Sequence, residues 1–384
     1  MAGQTVIVLG GGVGGQVAAR DLRRRLSREH RVVLVERNPR FSFAPSYLWV
    51  MSGARRPSEV SATLKRLERA GVEVMQAEVL GLDLGRRQVK TNRGELSYAH
   101  LVIALGTELA PEMLPGFSEA ASNVYTLEGA TAAGQALREF EGGRVVVLIS
   151  RLPFKCPAAP YETAFLAQSV LRQRGLGDQF NLAVYTPEPY PMPNAGPGVG
   201  HALADLLSSR GIDFHPGKMV ESVDPAASQL VFAGGERVGY DLLLGVPPHR
   251  ATGVLRSSEL AAESGYIPVD PRTLATKVER VYAIGDATAI PVGGGKALPK
   301  AGVFADGEAK VVARRIAAEL AGERPSAVFE GKGSCFVELG NNMAAYASGD
   351  FYAEGGPQVK LRRPGRIWHL GKVALEQYWL RIRL

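Results

Sequence analysis

The chain has two cysteines, Cys156 and Cys335, and the surroundings of the first indicate redox chemistry. Cys156 follows the β-branched run 145–149, which predicts a buried strand, and precedes a helix predicted over about residues 160–175. A helix N-terminus and the adjacent Lys155 would both favour the thiolate, so we expect a lowered pKa for the Cys156 thiol. A lone cysteine is more often a small buried hydrophobe, but its position in a strand-to-helix turn favours a reactive group.

The turn that carries Cys156 lacks glycine. In a dinucleotide-binding unit this turn has the pattern G-x-G-x-x-G, so that backbone N–H groups can hold a pyrophosphate. Residues 150–157 instead read Ser-Arg-Leu-Pro-Phe-Lys-Cys-Pro. The turn therefore argues against tight NADH binding at this place and offers a thiol instead.

A complete dinucleotide-binding motif occurs at the N-terminus. A buried strand over residues 6–9 leads into a turn with Gly10, Gly12 and Gly15, and a helix follows. The next strand ends at Glu36, about 20 residues beyond the glycines, where an acid binds the ribose hydroxyls of an adenine dinucleotide. A glycine-rich turn without a ligand is the alternative, and the order strand, glycines, helix, strand and acid disfavours it.

Three later segments resemble the flavin-binding segments of two-domain flavoprotein disulfide reductases and favour FAD over NAD. Two are strands that end in small residues, and the third runs over residues 298–305 into a helix predicted to reach about Leu320. The residues that we expect to contact FAD in these segments are Ala104, Gly106, Thr107, Gly285, Asp286, Lys300 and Gly302. A helix N-terminus and a lysine near the flavin would stabilise its reduced anion, whereas Asp286 alone could be a helix cap and Lys300 alone a solvated charge.

These segments predict an α/β protein with two Rossmann-like dinucleotide-binding domains and a small C-terminal region. The chain of 384 residues is too long for one ordinary core, and its 45 glycines suit many tight turns between strands and helices. We expect a discontinuous FAD-binding domain over residues 1–110 and 250–325. Residues 111–249 would form the second domain, which carries Cys156, and residues 326–384 the C-terminal region.

The end of the chain predicts a helix over residues 366–384 that lies on a membrane surface. Its apolar stripe would consist of Ile367, Trp368, Ala374, Leu375, Tyr378, Trp379 and Ile382. The residues on the opposite side are His369, Lys372, Glu376 and Arg383. Two tryptophans beside many cations favour a membrane interface, although a core-facing helix would show a similar stripe.

Composition limits the classes of partner. The net charge of +7 is compatible with nucleic acid, anionic lipid or an anionic substrate, but no nucleic-acid-binding motif accompanies it. No apolar run reaches the ~18 residues that span a bilayer, and the chain passes from Met1 directly into a strand without a signal peptide. We therefore expect a peripheral membrane protein, cytoplasmic by default, without a metal or nucleic acid.

The motifs together resemble the sulfide:quinone oxidoreductase family over essentially the whole chain. The most specific segments are residues 41–45, 154–162, 299–305 and 371–380. The resemblance implies FAD near Pro45, oxidation of sulfide or a persulfide at the Cys156 and Cys335 pair, and transfer of two electrons to a membrane quinone. Because no cysteine lies near Pro45 or Tyr125, we expect the FAD to be bound non-covalently. It also implies that Cys156 holds the persulfide while Cys335 reacts with the flavin.

Four further side chains are assigned roles in this scheme. Glu162, one helical turn past Cys156, could accept a proton, although an acid in the first turn also favours the helix dipole. We expect the quinone to pass Phe336, Tyr346 and Phe351 on its way to the flavin face opposite the cysteines.

Two departures from the family pattern leave other functions open. Many members have a third cysteine, where this chain has Tyr125 within residues 123–127. The flavoprotein of flavocytochrome c sulfide dehydrogenase also uses two cysteines, but it is typically exported and often binds FAD through a cysteine near Pro45, which this chain lacks. The alternatives are such a dehydrogenase, another thiol or persulfide flavin oxidoreductase, and a redox-sensing flavoprotein without steady turnover. A homo-oligomer is compatible with each.

Overall fold

Two parallel five-stranded sheets form the framework of the protein, whose computed structural model describes residues 3–383. The first sheet has the strand order Val281–Ala283, His100–Ile103, Thr5–Leu9, Arg31–Glu36, Glu73–Gln76. The second has the order Ser122–Asn123, Leu242–Val246, Gly143–Ile149, Phe180–Tyr185, Ile212–His215. The predicted α/β fold with two Rossmann-like sheets is confirmed.

The first sheet is covered on both faces, which explains why residues 6–9 are apolar without alternation. All four are fully buried. One face packs against the helices Val13–Arg25 and Gly302–Leu320. The other face packs against an antiparallel sheet made of Val79–Asp83, Gln88–Thr91 and Gly94–Ser97.

The second sheet is built in the same way around the strand Gly143–Ile149. The helices on one face are Leu127–Glu139, Ala159–Gln173 and Pro197–Ser209. The strands on the other face are Val220–Asp224, Gln229–Phe232 and Arg237–Gly239. The chain enters and leaves this half side by side, because Thr107–Leu109 pairs antiparallel with His249–Ala251.

Shorter elements complete these two halves. The remaining strands are Arg40–Ser42, Ser61–Thr63, Ile267–Pro268, Thr288–Ala289, Pro291–Val292 and Lys296–Ala297. The short α-helices are Tyr47–Met51, Phe117–Ala120 and Gly253–Arg256. The 3-10 helices are Ala44–Ser46, Pro57–Val60, Leu64–Ala70, Pro111–Met113, Pro193–Ala195 and Gly285–Ala287.

The C-terminal region contains a three-stranded antiparallel sheet of Lys332–Gly340, Met343–Asp350 and Gln358–Gly365. It packs against the helix Ala159–Gln173 through buried apolar residues of its first two strands. The α-helix Arg366–Gln377 follows, and the π-helical turn Tyr378–Arg383 continues it. This packing brings Cys335, on the first strand, towards the turn that carries Cys156.

The C-terminal helix is amphipathic, but its inner face carries charge. Lys372 and Glu376 are buried, whereas Ile367 is 69% exposed. Trp379 does not belong to the outer stripe, contrary to expectation, because its ring is buried and stacks on Phe43 at 6.2 Å between centroids. The expected stripe therefore needs correction, and the large apolar side chains of this segment that are exposed are Ile367, Leu370, Leu375, Tyr378 and Ile382.

None of the helices within residues 3–383 combines the length and apolar character needed to cross a membrane. The exposed apolar residues at the C-terminus instead lie on the surface of an amphipathic segment whose other face is packed into the protein.

Candidate active site

A cavity of about 380 Å³ lies where the first sheet meets the turn of Cys156. The predicted FAD-contacting residues that line it are Gly12, Glu36, Pro45, Ala104, Gly106, Gly285, Asp286, Lys300 and Gly302. The N-terminal turns of the helices Val13–Arg25 and Gly302–Leu320 both contribute to its wall, and neither has an acidic residue in its first turn. Two positive helix ends in one cavity suit a pyrophosphate.

The other three predicted contacts have structural roles. A Cβ on Gly15 would lie 1.8 Å from the carbonyl oxygen of Gly10, and Gly10 itself has a φ of 100°. These two glycines thus allow the close approach of strand and helix. The Thr107 hydroxyl donates to the carbonyl of Arg250 at 2.6 Å and joins the two crossing strands.

Gly12 and Glu36 have the geometry expected of ligand contacts. A Cβ on Gly12 would meet no described atom within 4 Å, so the space in front of this residue belongs to the cavity. The Glu36 carboxylate accepts from the N–H groups of Gly11 at 2.7 Å and Asn38 at 2.8 Å, which fixes it at the cavity wall. The site therefore fits an adenine dinucleotide.

Lys300 is held at the cavity by backbone carbonyls. Its ammonium group donates to the carbonyls of Asp286 at 2.8 Å and Thr288 at 3.0 Å, and lies 3.6 Å from the centre of the Tyr266 ring. Burial lowers the pKa of Lys300 to about 8, although Asp286 and Glu308 oppose the shift.

Glu308, a buried acid that contacts the cavity-lining residue Gly285, was not among the site residues predicted from the sequence. Its carboxylate accepts from the N–H of Gly285 at 2.6 Å, and burial raises the pKa of Glu308 to about 7. The sequence does contain a signal, because Glu308 interrupts the apolar face of the helix Gly302–Leu320 between Ala305 and Ala309.

The two cysteines line the same two cavities. One cavity, of about 40 Å³, is almost entirely apolar, and the other has a volume of about 310 Å³. Cys156 has a φ of 50°, and its N–H donates to the carbonyl of Lys300 at 2.7 Å. Tyr125, at the place of the missing third cysteine, donates its hydroxyl to the carbonyl of Cys156 at 3.0 Å. The fold thus joins the thiols to the 380 Å³ cavity, which Cys156 also lines.

The expected lowering of the thiol pKa is wrong. Burial raises the pKa of Cys156 to about 12, and the charge of Glu162 adds to this effect while Lys372 opposes it. Burial likewise raises the pKa of Cys335 well above its ordinary value. The helix begins only at Ala159, and desolvation of a thiolate outweighs its dipole.

The raised pKa values predict slow alkylation of the reduced thiols. Only the thiolate reacts, so the rate of modification by iodoacetamide should be small near neutral pH and should still rise above about pH 9. Mass spectrometry of the two cysteine peptides over a pH series measures these rates. A rate that levels off below about pH 8 would contradict the assignment.

Glu162 forms a buried ion pair that the sequence did not predict. Its Oε1 atom accepts from the Lys372 ammonium at 2.7 Å and from the N–H of Glu338 at 2.9 Å. Both members of the pair line the 310 Å³ cavity together with the two cysteines. Burial alone would lower the pKa of Lys372, but the carboxylates of Glu162 and Glu338 raise it.

The 310 Å³ cavity contains two of the three predicted quinone residues, but both cysteines also line it, so these residues do not lie apart from the cysteines as expected. Phe336 and Tyr346 line it, whereas Phe351 lies at the 40 Å³ cavity and packs edge-on against Phe304 at 4.8 Å. Leu375 and Tyr378 also line the larger cavity and belong to the exposed apolar surface of the C-terminal segment. This cavity therefore extends to that surface.

The comparisons with known proteins agree with this architecture. Residues 4–148 and 164–309 match the model of the pyridine nucleotide-disulphide oxidoreductases. The chain belongs to this family. It is an oxidoreductase, as expected.

Individual relatives show which members of this family the chain resembles. The mitochondrial sulfide:quinone oxidoreductase of Mus musculus is 28% identical over 369 residues, covering 91% of this chain and 78% of the relative. The sulfide-quinone reductase of Aquifex aeolicus is 26% identical, covering 98% and 90%. The X-ray structure of the sulfide:quinone oxidoreductase from that bacterium has the same fold, with a TM-score of 0.87 at 24% identity and the same coverage. The resemblance to sulfide:quinone oxidoreductases is confirmed.

Proposed function

We propose that the protein oxidises sulfide at Cys156 and Cys335 and passes two electrons through non-covalently bound FAD to a membrane quinone. The observation that carries this proposal is the placement of both thiols at two shared cavities that adjoin the dinucleotide cavity. Residues 1–110 and 250–325 would form the FAD-binding domain, residues 111–249 the thiol-bearing domain, and residues 326–384 the quinone and membrane region. The names of the two relatives support the substrates.

FAD suits the 380 Å³ cavity because two helix N-termini, Glu36 and Lys300 contribute to its wall. The pyrophosphate would lie at Gly12 and the two helix N-termini, with the ribose of the adenosine half at Glu36. The flavin half would reach Lys300 and Cys156, which line the other part of the wall. When bound, FAD would accept two electrons from sulfur and pass them to a second substrate.

A Gly12→Ala substitution should remove the cofactor without unfolding the protein. The added methyl group meets no described protein atom within 4 Å but enters the cavity, so it would collide with a bound pyrophosphate rather than with the fold. Flavin content per protein should fall at least roughly tenfold, given the close backbone approach that this turn requires.

The matched control is Gly198→Ala, in the first turn of the helix Pro197–Ser209. A Cβ there also meets no described atom within 4 Å, and the residue lies outside the lining of the 380 Å³ cavity. It should retain full flavin and the same melting temperature. If Gly12→Ala purifies with normal flavin, the assignment of the pyrophosphate site fails.

The thiol chemistry begins from a disulfide between the two cysteines. HS⁻ attacks Cys156, its sulfur joins Cys156 as a persulfide, and Cys335 leaves as a thiolate. Glu162 would accept the proton of the persulfide, and Lys372 would offset the negative charge that builds up beside Cys335. A second HS⁻ attacks the outer sulfur of the persulfide and removes it as HSS⁻, so that Cys156 leaves as a thiolate and both cysteines are reduced. Re-formation of the Cys156–Cys335 disulfide would then release two electrons to the acceptor and restore the starting state.

A buried acid in the second domain argues against NADH as the electron donor. Glu188 follows the strand Phe180–Tyr185, where an NADH-binding domain would present an acid to ribose. Its carboxylate is buried and accepts from the hydroxyls of Tyr161 and Thr186, and burial raises the pKa of Glu188 to about 7. This acid is already engaged by the helix that follows Cys156.

A quinone would enter the 310 Å³ cavity from a bilayer. We name the exposed residues Ile367, Leu370, Leu375, Tyr378 and Ile382 the tail patch. Exposed cations surround it in sequence, at Lys360, Arg362, Arg363, Arg366 and Arg381. Apolar side chains flanked by cations suit an anionic membrane surface, and the shared residues Leu375 and Tyr378 connect that surface to the cavity.

A steady-state assay tests the proposed function. Purified protein in anionic vesicles should reduce a ubiquinone analogue when sulfide is added and should show at most a trace rate with NADH. Reduction of cytochrome c without quinone would favour the flavocytochrome alternative. Flavin that neither sulfide nor a persulfide reduces would favour a sensor.

A further inference from the structure

We propose that His369 and Glu338 form a proton relay that supplies Lys372 and Glu162 during reduction of the quinone. The inference rests on the proposed function and assigns roles to two residues outside the lining of the quinone cavity. In this relay His369 takes protons from solvent, and Glu338 passes them towards the buried ion pair.

The contacts run from the surface to the cavity. The Nδ1 atom of His369 lies 3.0 Å from one carboxylate oxygen of Glu338 and 3.2 Å from the other. The side chain of His369 is 18% exposed, whereas that of Glu338 is 1% exposed. The backbone N–H of Glu338 donates to the same Glu162 oxygen that accepts from Lys372. The Glu338 carboxylate acts electrostatically on the Lys372 ammonium, and a water molecule between the two groups would complete the proposed relay.

The stoichiometry of the reaction requires such a supply. Two HS⁻, one quinone and one H⁺ give one HSS⁻ and one quinol, with two electrons transferred from sulfur to the quinone. Of the two protons that the quinol gains, one comes from sulfide, and Glu162 can pass it on beside Cys156. The other has to come from solvent in every turnover.

The position of the tail patch explains why a separate route is needed. If the patch lies on a bilayer, the mouth of the quinone cavity faces lipid, where protons are scarce. His369 is on the inner face of the C-terminal helix, one turn before Lys372, and its ring rests edge-on against Trp49 at 5.7 Å. The relay therefore approaches the cavity from the protein side of the helix.

The surrounding charges favour proton movement along this line. Lys372 faces Glu162, Glu338 and the thiol of Cys335. Burial raises the pKa of Glu338, while Lys372 and His369 oppose the shift. The next charged residue on this face, Glu376, forms an ion pair with Arg55, whose guanidinium nitrogen lies 2.9 Å from the Glu376 carboxylate. Glu338 is thus the acid that links the partly exposed imidazole of His369 to the buried ammonium of Lys372.

The test separates the two half-reactions of the FAD-loaded enzyme by anaerobic stopped-flow. His369→Gln should be reduced by sulfide at the wild-type rate, but its reoxidation by a quinone analogue should slow roughly tenfold or more, as for loss of a general acid–base group. Added imidazole should restore the rate, because a small proton donor can replace a missing relay residue but cannot repair a packing defect. Glu338→Gln should show the same slow phase.

The control is His201→Gln, because His201 is exposed on the helix Pro197–Ser209 and takes no part in the relay. It should match wild type in both half-reactions. Wild-type reoxidation by His369→Gln, or slow reoxidation that imidazole leaves unchanged, would overturn the relay while leaving the proposed function intact. Failure of sulfide to reduce the wild-type flavin would instead overturn the proposed function.

Discussion

Replacing Cys335 with serine should lower the rate of flavin reduction by sulfide by roughly 10³-fold or more, the size of loss seen when a residue of a catalytic unit is removed. A serine hydroxyl cannot form a disulfide with Cys156, so HS⁻ would find no S–S bond to attack. The flavin content should remain normal, because Cys335 lines the two smaller cavities and lies outside the lining of the 380 Å³ cavity.

Two comparisons make this result specific. Dithionite should still bleach the flavin of Cys335→Ser, and a quinone should still reoxidise it, because neither step uses the disulfide. Cys156→Ser should lose the same reaction but could also lower flavin content, since Cys156 lines the cofactor cavity and holds a φ of 50°. Retention of a tenth of the wild-type sulfide rate by Cys335→Ser would contradict the role of the pair.

Polar substitution of the tail patch should release the protein from anionic liposomes. The side chains of Ile367, Leu370 and Ile382 are 69%, 63% and 61% exposed. Since full burial of such a side chain contributes about 1.5–3 kcal/mol, their joint insertion would contribute about 3–5 kcal/mol. The triple serine variant should therefore bind liposomes at least about 100-fold more weakly in a flotation assay.

The control replaces exposed apolar residues elsewhere. Leu80, Met113 and Leu152 are 59%, 52% and 49% exposed and lie outside the tail patch, so the triple serine variant at these positions should bind liposomes as wild type does. Sulfide should reduce the flavin of both variants normally. Equal binding by the two variants would show that the tail patch is not the membrane contact.

Truncation of the C-terminal segment would not answer the same question. The segment contains Lys372, which pairs with Glu162 beside the cysteines, and Trp379, which packs against Phe41 and Phe43. Its removal would leave the charge of Glu162 buried without its partner, a change that typically costs about 3–5 kcal/mol. Substitutions on the outer face avoid this damage.

The local motifs predicted the fold because each depends on residues close in sequence. The glycines after the first strand and Glu36 after the second belong to one βαβ unit, and the glycine-free turn at Cys156 belongs to another. Patterns of this kind depend on backbone geometry and strand burial, which neighbouring residues largely determine.

The incorrect expectations concern side chains whose partners are distant in sequence. Helical periodicity separated two faces of the C-terminal helix but did not show that Lys372 and Glu376 would face inward, since Glu162, Ser46 and Arg55 provide their contacts. The thiol pKa depends on burial by other segments, which outweighs the adjacent helix and lysine. Phe351 was misplaced because its packing against Phe304 joins two separate elements.

The most direct test of the central claim is a single turnover in the absence of oxygen. FAD-loaded protein is mixed with a slight excess of sulfide and then with one equivalent of a quinone analogue, while the flavin absorbance is followed. We predict rapid bleaching on addition of sulfide, with two electrons per flavin, and recovery of the oxidised spectrum on addition of the quinone. Flavin that stays oxidised with sulfide, yet is bleached by NADH, would contradict the proposed thiol-based oxidation of sulfide.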